Sequence, residues 1–290
     1  LSLRRQRQMC IRDSYGVLPL KQILEPVIKQ AVNGIVVSYD LSQAIGSAVQ
    51  IKLDEESKKT YYENNAPIEQ HSIIKRVDLA WTLNEIAKDG EQAFYSGSIA
   101  KKIIQAMQDN DGYITAEDLS NYEPRFSEPI QTSYRNHIIY AHPPPAGGAS
   151  VLLESLNILE NFQVEELGPN SGRFLHLFAE ALQRGHMDRS RFMGDPLFYD
   201  VPIKKIISKE RAKSLAKGIN QNSVTPAGNL NPDSLFNEGE NTTHYSIIDK
   251  FGNAVSTTYT LGYSFGSGVT IPGTGILLDN QMNNFAYQYG

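Results

Sequence analysis

Cysteine is almost absent from this chain of 290 residues, and its single representative, Cys10, lies in an atypical N-terminal segment. One thiol cannot form a disulfide within the chain, so a disulfide-stapled scaffold is excluded. Beyond that segment the sequence also lacks a thiol nucleophile. The composition is therefore compatible with an oxidising exported compartment as well as with the cytosol.

Long apolar runs and an excess of positive charge are missing as well. No stretch approaches the roughly 18 apolar residues that a membrane-spanning helix needs, so no span is predicted. Acidic residues outnumber basic ones by 32 to 27, and no basic stripe is interleaved with aromatic residues, which argues against a nucleic-acid partner. The 6 histidines show no pair at metal-ligand spacing, and we predict neither a metal site nor a cofactor.

Residues 1–14 do not read like the rest of the chain, because the run from Arg4 to Asp13 has no amphipathic period. The run resembles the translation of a transposase adapter used in short-read sequencing, and scars of this kind are excluded from fold reasoning. We therefore expect the protein's own sequence to start near Tyr15. The alternative is a genuine basic tail.

Apolar periodicity over the remaining sequence predicts an α+β protein, with helices followed by strands. The hydrophobic content of 40% suffices for one large globular domain or two small ones. The stretch 129–140 ends in a β-rich run, which is expected to form a strand that leads into a rigid turn at Pro143-Pro144-Pro145. The predicted helices cover 19–31, 79–87, 99–107, 147–159 and a longer segment that includes 174–182.

A polar segment at about 220–241, rich in Asn, Gly, Pro and Ser, is predicted to be a linker or mobile loop. It stops at Asn241, and a hairpin with strands at 245–249 and 254–261 is predicted directly afterwards. A loop that feeds a rigid strand is a place where a chain can be cut. Cleavage between Asn241 and Thr242 would give Thr242 a free α-amino group, which can serve as the general base for its own hydroxyl.

The pairing within this hairpin points to a second threonine. If the hairpin is symmetric about Phe251, the residue opposite Thr242 is Thr260. Directly opposed residues have Cβ atoms roughly 4.5–5.5 Å apart, so we expect the two hydroxyls to hydrogen-bond. A slip of one residue would send Thr260 to the other face of the hairpin, which makes the register the step on which this prediction depends.

The sequence resembles the γ-glutamyltransferase family of N-terminal-nucleophile hydrolases over nearly all of 15–290. The C-terminal part resembles the start of the family's small subunit, and landmarks of its large subunit occur in the same order before it. The small-subunit matches are Thr242-Thr243-His244-Tyr245-Ser246, Asp249, Gly252-Asn253-Ala254-Val255, Thr258-Tyr259-Thr260-Leu261 and Gly275 to Met282. The large-subunit matches are Tyr15-Gly16 with Pro19-Leu20, Phe94-Tyr95-Ser96-Gly97, Ile114 to Leu119, Pro143-Pro144-Pro145 with Gly147-Gly148, and Asp188-Arg189 with Gly194-Asp195-Pro196.

The resemblance implies a layered αββα sandwich and a precursor that cleaves itself between Asn241 and Thr242. Residues 15–241 would belong to the large subunit and 242–290 to the start of the small one. Thr242 would then attack γ-glutamyl amides such as glutathione and pass the acyl group to water or to an amino-acid or peptide acceptor. Thr260 would orient the Thr242 hydroxyl, and Gln281 would help hold the substrate's α-amino group.

The resemblance also implies that the chain is a fragment and that the whole protein is periplasmic or secreted. The family's oxyanion donors and its carboxylate-binding serines would follow Gly290, and an arginine that pairs with the substrate carboxylate would precede Tyr15.

Two positions depart from the family pattern. Well-known members carry an asparagine and an aspartate, both facing the substrate's α-amino group, where this chain has Gly262 and Asn284. Some acylases of glutaryl-type amides also replace that aspartate, so a glutaryl or cephalosporin-type acylase is the alternative activity. A non-catalytic relative that only binds peptides is a third possibility.

Two other patterns are candidate sites. Gly262-Tyr263-Ser264-Phe265-Gly266 matches the G-x-S-x-G elbow of serine hydrolases, but the glycines that follow argue against the helix that this motif requires. His176, Glu180 and Arg184 lie four apart on a predicted helix, which favours a solvated, ion-paired face over metal ligands. His244, beside the proposed nucleophile, is interpreted as structural, because an N-terminal threonine carries its own base.

Overall fold

The computed structural model describes residues 16–123, 125–226 and 242–281. These residues form two compact units. The first unit joins 16–123 to 242–281, and the second comprises 125–226. Both contain helices and strands, which confirms the predicted α+β class. No helix in the described ranges is long and apolar enough to cross a membrane.

The first unit is mainly helical between residues 16 and 123, with short two-stranded pairings among the helices. Its helices are α1 (Leu20–Asn33), α2 (Tyr39–Ser47), α3 (Val49–Leu53), α4 (Glu55–Tyr61), α5 (Val77–Asp89), α6 (Glu91–Tyr95), α7 (Ser98–Asp109) and α8 (Ala116–Ser120). Its first strands are β1 (Ile35–Val36), β2 (Tyr62–Glu63), β3 (Ala66–Pro67) and β4 (Ile73–Ile74), paired β1 with β4 and β2 with β3. The helices predicted at 19–31, 79–87 and 99–107 are confirmed as α1, α5 and α7.

The second unit begins with a hairpin where a single strand was expected. Strands β5 (Ile130–Tyr134) and β6 (His137–Ala141) pair through all five of their residues. Arg135 and Asn136 both have positive φ and form the two-residue turn between them. The predicted strand that leads into the prolines is β6, but its partner β5 was missed because this turn contains no glycine or proline to mark it.

Helices complete the second unit. They are α9 (Gly147–Leu159), α10 (Gly172–Phe192), α11 (Ile203–Ile206) and α12 (Lys209–Lys217), with a 3-10 turn at Val164–Leu167. A cluster of buried apolar residues, including Ile158, Leu177 and Ala212, joins α9, α10 and α12. The prolines at 143–145 turn the chain into α9, as predicted.

Glu180 and Arg184 on α10 are buried, at 2% and 4% exposure, so the predicted solvated face was wrong for these two residues. Oε2 of Glu180 accepts a hydrogen bond from Nη1 of Arg184 at 2.6 Å, and Thr225 donates its N–H and its hydroxyl to the same carboxylate. Burial acts to raise the pKa of Glu180, but these hydrogen bonds and the arginine charge lower it overall. The third residue of the pattern, His176, is half-buried and bonds the carbonyl of Asn220.

The segment 242–281 returns to the first unit. It contains β7 (Thr243–Ile248), β8 (Ala254–Tyr259), β9 (Thr270–Ile271) and β10 (Ile276–Leu277), which pair β7 with β8 and β9 with β10. The hairpin predicted around residues 250–253 is thereby confirmed. We call residues 262–278, which follow β8 and include β9 and β10, the seating loop.

The seating loop contributes to two apolar cores. Ile271 and Ile276 pack with Ile99 and Ile103 of α7. Phe265 and Leu277 pack in a second cluster that includes Ile45, Ile51 and Tyr61.

Buried polar contacts fix the position of the seating loop. The Ser57 hydroxyl donates to the carbonyl of Gly268 at 2.7 Å and lies 2.7 Å from the hydroxyl of Thr270. Thr82 donates to the carbonyl of Thr274 at 2.7 Å. Nη2 of Arg76 reaches the carbonyl of Gly275, also at 2.7 Å. These bonds satisfy backbone oxygens that would otherwise be buried without a partner.

Substitution of Gly275 tests the contact between the seating loop and α5. Gly275 has a φ of +63°, and a Cβ there would lie 2.6 Å from the backbone nitrogen of Leu79. Gly252, in the hairpin turn, has a φ of +84° and nothing within 4 Å of the place where a Cβ would lie, so it is a matched control. Each change to alanine should lower the free energy of unfolding by about 1–2 kcal/mol, because the backbone at both positions is left-handed. Gly275→Ala should cost about 1–3 kcal/mol more for the overlap with α5.

Thermal unfolding of the two variants measures the difference. We expect a clearly lower Tm for Gly275→Ala than for Gly252→Ala. Equal midpoints would mean that the seating loop does not contact α5 this closely.

Candidate active site

The hairpin of β7 and β8 has the register that the symmetric pattern predicted. Thr243 pairs with Tyr259, Tyr245 with Thr257, and Ile248 with Ala254. Asp249 closes the turn, since its carboxylate accepts from the backbone N–H groups of Phe251 and Asn253. Hydrogen bonds from Asn253, the side-chain one foremost, lower the pKa of Asp249.

Continuing this register by one position sets Thr242 opposite Thr260. Thr242 is exposed at the open end of the hairpin, whereas Thr260 is half-buried. Since residues alternate between the faces of a strand, opposed residues share a face and their side chains are neighbours. The hydrogen bond between the two hydroxyls stays a prediction.

Besides Thr242, two further predicted site residues, Gly262 and Gln281, lie next to Thr260. Its hydroxyl accepts a hydrogen bond from the backbone N–H of Gly262 at 3.0 Å. Its carbonyl accepts one from Nε2 of Gln281 at 3.3 Å. The other two predicted residues, Asn241 and Asn284, lie outside the described residues.

Asn280 belongs to this group, although the sequence did not single it out. Its backbone N–H donates to the carbonyl of Leu261 at 2.9 Å. Its Oδ1 accepts from the backbone N–H of Tyr263, also at 2.9 Å. The only sign of Asn280 in the sequence was indirect, namely the glycine at position 262. In the structure that glycine has a φ of +90°.

His244 forms its hydrogen bonds inside the hairpin. Nδ1 lies 2.6 Å from the hydroxyl of its cross-strand partner Thr258, and Nε2 lies 3.2 Å from the hydroxyls of Ser246 and Ser256. The ring therefore links both strands through their side chains. These contacts fit the structural role predicted for His244.

Ser264 lies on an exposed turn in the seating loop. No α-helix follows it within the described residues 265–281. The strand-turn-helix arrangement that exposes the nucleophile of a serine hydrolase is therefore absent from this part of the chain.

A second group of ionisable side chains lies inside the second unit. Glu154 of α9 and Asp188 of α10 are fully buried, and Arg211 of α12 pairs with both. Nη2 of Arg211 donates to Oδ1 of Asp188 at 2.5 Å, and its Nε lies 3.5 Å from Oε1 of Glu154. Burial and the adjacent carboxyl of Asp188 raise the pKa of Glu154 to about 9. This group ties three helices together.

Solved structures with the same architecture include a gamma-glutamyltranspeptidase and a cephalosporin acylase. The structure superposes on the Helicobacter pylori gamma-glutamyltranspeptidase with a TM-score of 0.74 and 33% identity, covering 80% of this chain and 68% of that one. It superposes on a cephalosporin acylase from Bacillus halodurans with a TM-score of 0.83 and 27% identity, covering 96% of this chain and 51% of that one.

Sequence comparison defines the family. The family model described as Gamma-glutamyltranspeptidase matches residues 9–289, so the chain belongs to the gamma-glutamyltranspeptidase family. The glutathione hydrolase proenzyme of Escherichia coli (strain K12) is 39% identical over 282 residues. That alignment covers 96% of this chain and 48% of the relative, so the chain spans about half the length of that protein.

The buried Glu154 generates a prediction about pH. Its folded pKa of about 9 lies far above the value near 4.5 of an unburied glutamate, so the folded state keeps a proton that the unfolded state has released. The resulting stabilisation is complete below the unfolded pKa and is lost as the pH rises towards the folded one. Between about pH 6 and pH 8, we expect the free energy of unfolding of the chain to fall with rising pH. The fall should exceed that of Glu154→Gln by up to about 1.4 kcal/mol per pH unit.

Chemical unfolding at a series of pH values gives the free energies of unfolding of the parent chain and of Glu154→Gln. The exposed Glu69 supplies the control, because Glu69→Gln should leave the pH dependence of the parent chain unchanged. If the Glu154→Gln curve also runs parallel to that of the parent chain, Glu154 is ionised in the folded state.

Proposed function

We propose that the protein containing this chain is a γ-glutamyltransferase or glutathione hydrolase with Thr242 as its N-terminal nucleophile. The observation that carries the proposal is the register of β7 and β8, which sets Thr242 opposite Thr260 at the open end of the hairpin. The hydrogen bonds of Gly262 and Gln281 to Thr260 gather the other proposed residues at that end.

In the proposed reaction, Thr242 first acts on its own precursor. Its hydroxyl attacks the carbonyl carbon of Asn241, the peptide C–N bond breaks, and the nitrogen becomes the α-amino group of Thr242. Water then opens the resulting ester and leaves a carboxylate on Asn241. The new amine takes the hydroxyl proton during each later attack, so no histidine is needed.

The mature nucleophile repeats this chemistry on a substrate. The Thr242 hydroxyl attacks the γ-amide carbon, the substrate amine leaves with a proton, and a γ-glutamyl ester remains on the enzyme. Water or an acceptor amino group then breaks that ester and restores the hydroxyl. Thr260 orients the nucleophile, and Gln281 holds the α-amino end of the substrate.

Cleavage before Thr242 would leave the two products bound to each other. The contacts of Ser57, Thr82 and Arg76 with the seating loop join residues that cleavage assigns to different polypeptides. They would hold together a large subunit ending at Asn241 and a small one starting at Thr242. We extend the α+β class to the layered αββα sandwich of N-terminal-nucleophile hydrolases.

The substrates we propose are γ-glutamyl amides such as glutathione, with amino acids or peptides as acceptors, in the periplasm or outside the cell. The alternative is an acylase of glutaryl or cephalosporin-type amides. It is supported by Gly262 and Asn284 and by the superposition on the cephalosporin acylase. A peptide-binding relative without catalysis is less well supported, because Thr242 and Thr260 are both present.

The cleavage is tested in the complete precursor with two neighbouring threonines. Thr242→Ala removes the attacking hydroxyl and should leave a single uncut polypeptide on a denaturing gel. Thr243→Ala is the matched control, since Thr243 pairs with Tyr259 on the opposite face of the hairpin and should still allow cleavage. Efficient cleavage of Thr242→Ala would exclude Thr242 as the nucleophile.

The choice of substrate is tested at position 284 of the complete enzyme. An ammonium group without its charged partner in a desolvated pocket commonly loses about 2–5 kcal/mol. Asn284→Asp should therefore raise kcat/KM for γ-glutamyl amides relative to glutaryl amides, because only the former carry the ammonium. An unchanged ratio would mean that residue 284 does not contact the α-amino group.

A further inference from the structure

The turn at Leu261-Gly262-Tyr263 follows directly after Thr260 and is held on both sides by one residue. The backbone N–H of Asn280 bonds the carbonyl of Leu261, and its Oδ1 accepts from the N–H of Tyr263. The bonded side-chain atom must be the oxygen, because a backbone N–H can only donate. Asn280 therefore fixes the turn through its main chain and its carboxamide together.

Gly262, in the middle of this turn, makes the connection to Thr260. Its N–H donates to the Thr260 hydroxyl at 3.0 Å and so fixes the direction from which that hydroxyl accepts a bond. Its φ of +90° is one that residues with a Cβ rarely adopt. A Cβ at this position would also overlap Oδ1 of Asn280. The carboxamide of Asn280 thus occupies the space that a side chain at 262 would need.

We propose that Asn280 is a positioning residue that sets the orientation of the Thr260 hydroxyl through the Leu261-Gly262-Tyr263 turn. The inference rests on the proposed function, in which Thr260 orients Thr242. It also accounts for the departure at 262, since Gly262 and Asn280 fit together as a pair.

The test compares three variants of the complete precursor. Asn280→Ala removes the acceptor for Tyr263, whereas Asn280→Asp keeps an oxygen at that position. Ser267→Ala is the control, because Ser267 donates to the carbonyl of Leu278 in the same loop without touching the turn. For each variant, the rate of self-cleavage, kcat and KM for a γ-glutamyl anilide, and the Tm are measured.

A small displacement of an orienting group lowers the catalytic rate more than it weakens substrate binding. Asn280→Ala should therefore lower kcat about ten- to hundredfold while KM changes less. Self-cleavage should slow as well, because it uses the same hydroxyl. Asn280→Asp should stay within about threefold of the wild-type kcat, since it retains the bonded oxygen. Ser267→Ala should lower the Tm without lowering kcat.

Two results would overturn the positioning role in an enzyme that is otherwise active. One is a wild-type kcat and cleavage rate in Asn280→Ala. The other is an equal loss of kcat in Asn280→Asp and Asn280→Ala. If Asn280→Ala fails to fold, the folded Asn280→Asp protein decides the question alone, and a loss of kcat of about tenfold or more in it would overturn the role. A wild-type protein that neither cleaves itself nor turns over the anilide would instead refute the proposed function.

A double-mutant cycle with Gly262→Ala tests the fit of the pair directly. The overlap between a Cβ at 262 and Oδ1 of Asn280 disappears when Asn280 is also alanine. The loss of cleavage rate in the double variant should therefore be smaller than the product of the two single losses. Multiplicative losses would mean that the two residues act independently.

Discussion

The structure around Thr242 depends on the seating loop and its contacts with α4, α5 and α7. The hairpin of β7 and β8 buries little of its own surface, and Phe251 at its turn is largely exposed. Its position in the first unit is determined instead by the loop that follows Thr260 and packs into two cores. Among the described residues, the end of the hairpin that carries Thr242 and Thr260 is therefore the anchored end, and the turn at 250–253 is exposed.

This arrangement would keep the two products assembled after the proposed cleavage before Thr242. The bonds of Ser57, Thr82 and Arg76 to the seating loop connect residues about 200 positions apart in sequence, as do the apolar contacts around Ile271 and Phe265. None of them involves the segment just before Thr242. The proposed break would remove none of these contacts, and the new amine would form at the anchored end of the hairpin.

Local sequence patterns were sufficient for several helices and for the register of the hairpin of β7 and β8. Apolar spacing located α1, α5, α7 and α9, and the symmetry of residues about Phe251 set Thr242 opposite Thr260. The hairpin at 130–141 was missed because its turn uses Arg135 and Asn136 in place of glycine. Short-range patterns also could not separate an exposed face from a buried one, since the burial of Glu180 and Arg184 depends on Thr225, far along the chain.

Long-range contacts account for what remained unpredicted at the site. Asn280 acts on a turn that lies 17 residues earlier, at Tyr263. Glu154, Asp188 and Arg211 come from three separate helices, and nothing in their local sequence marks them as a group. In both cases, the chemistry of a side chain is decided by partners that only the folded chain brings near.

Sequencing the amino terminus of the smaller polypeptide from the mature protein decides whether Thr242 is the N-terminal nucleophile. We expect the first residue to be Thr242, followed by Thr243 and His244. A chain that remains intact, or a smaller polypeptide that begins at any other residue, would contradict this assignment.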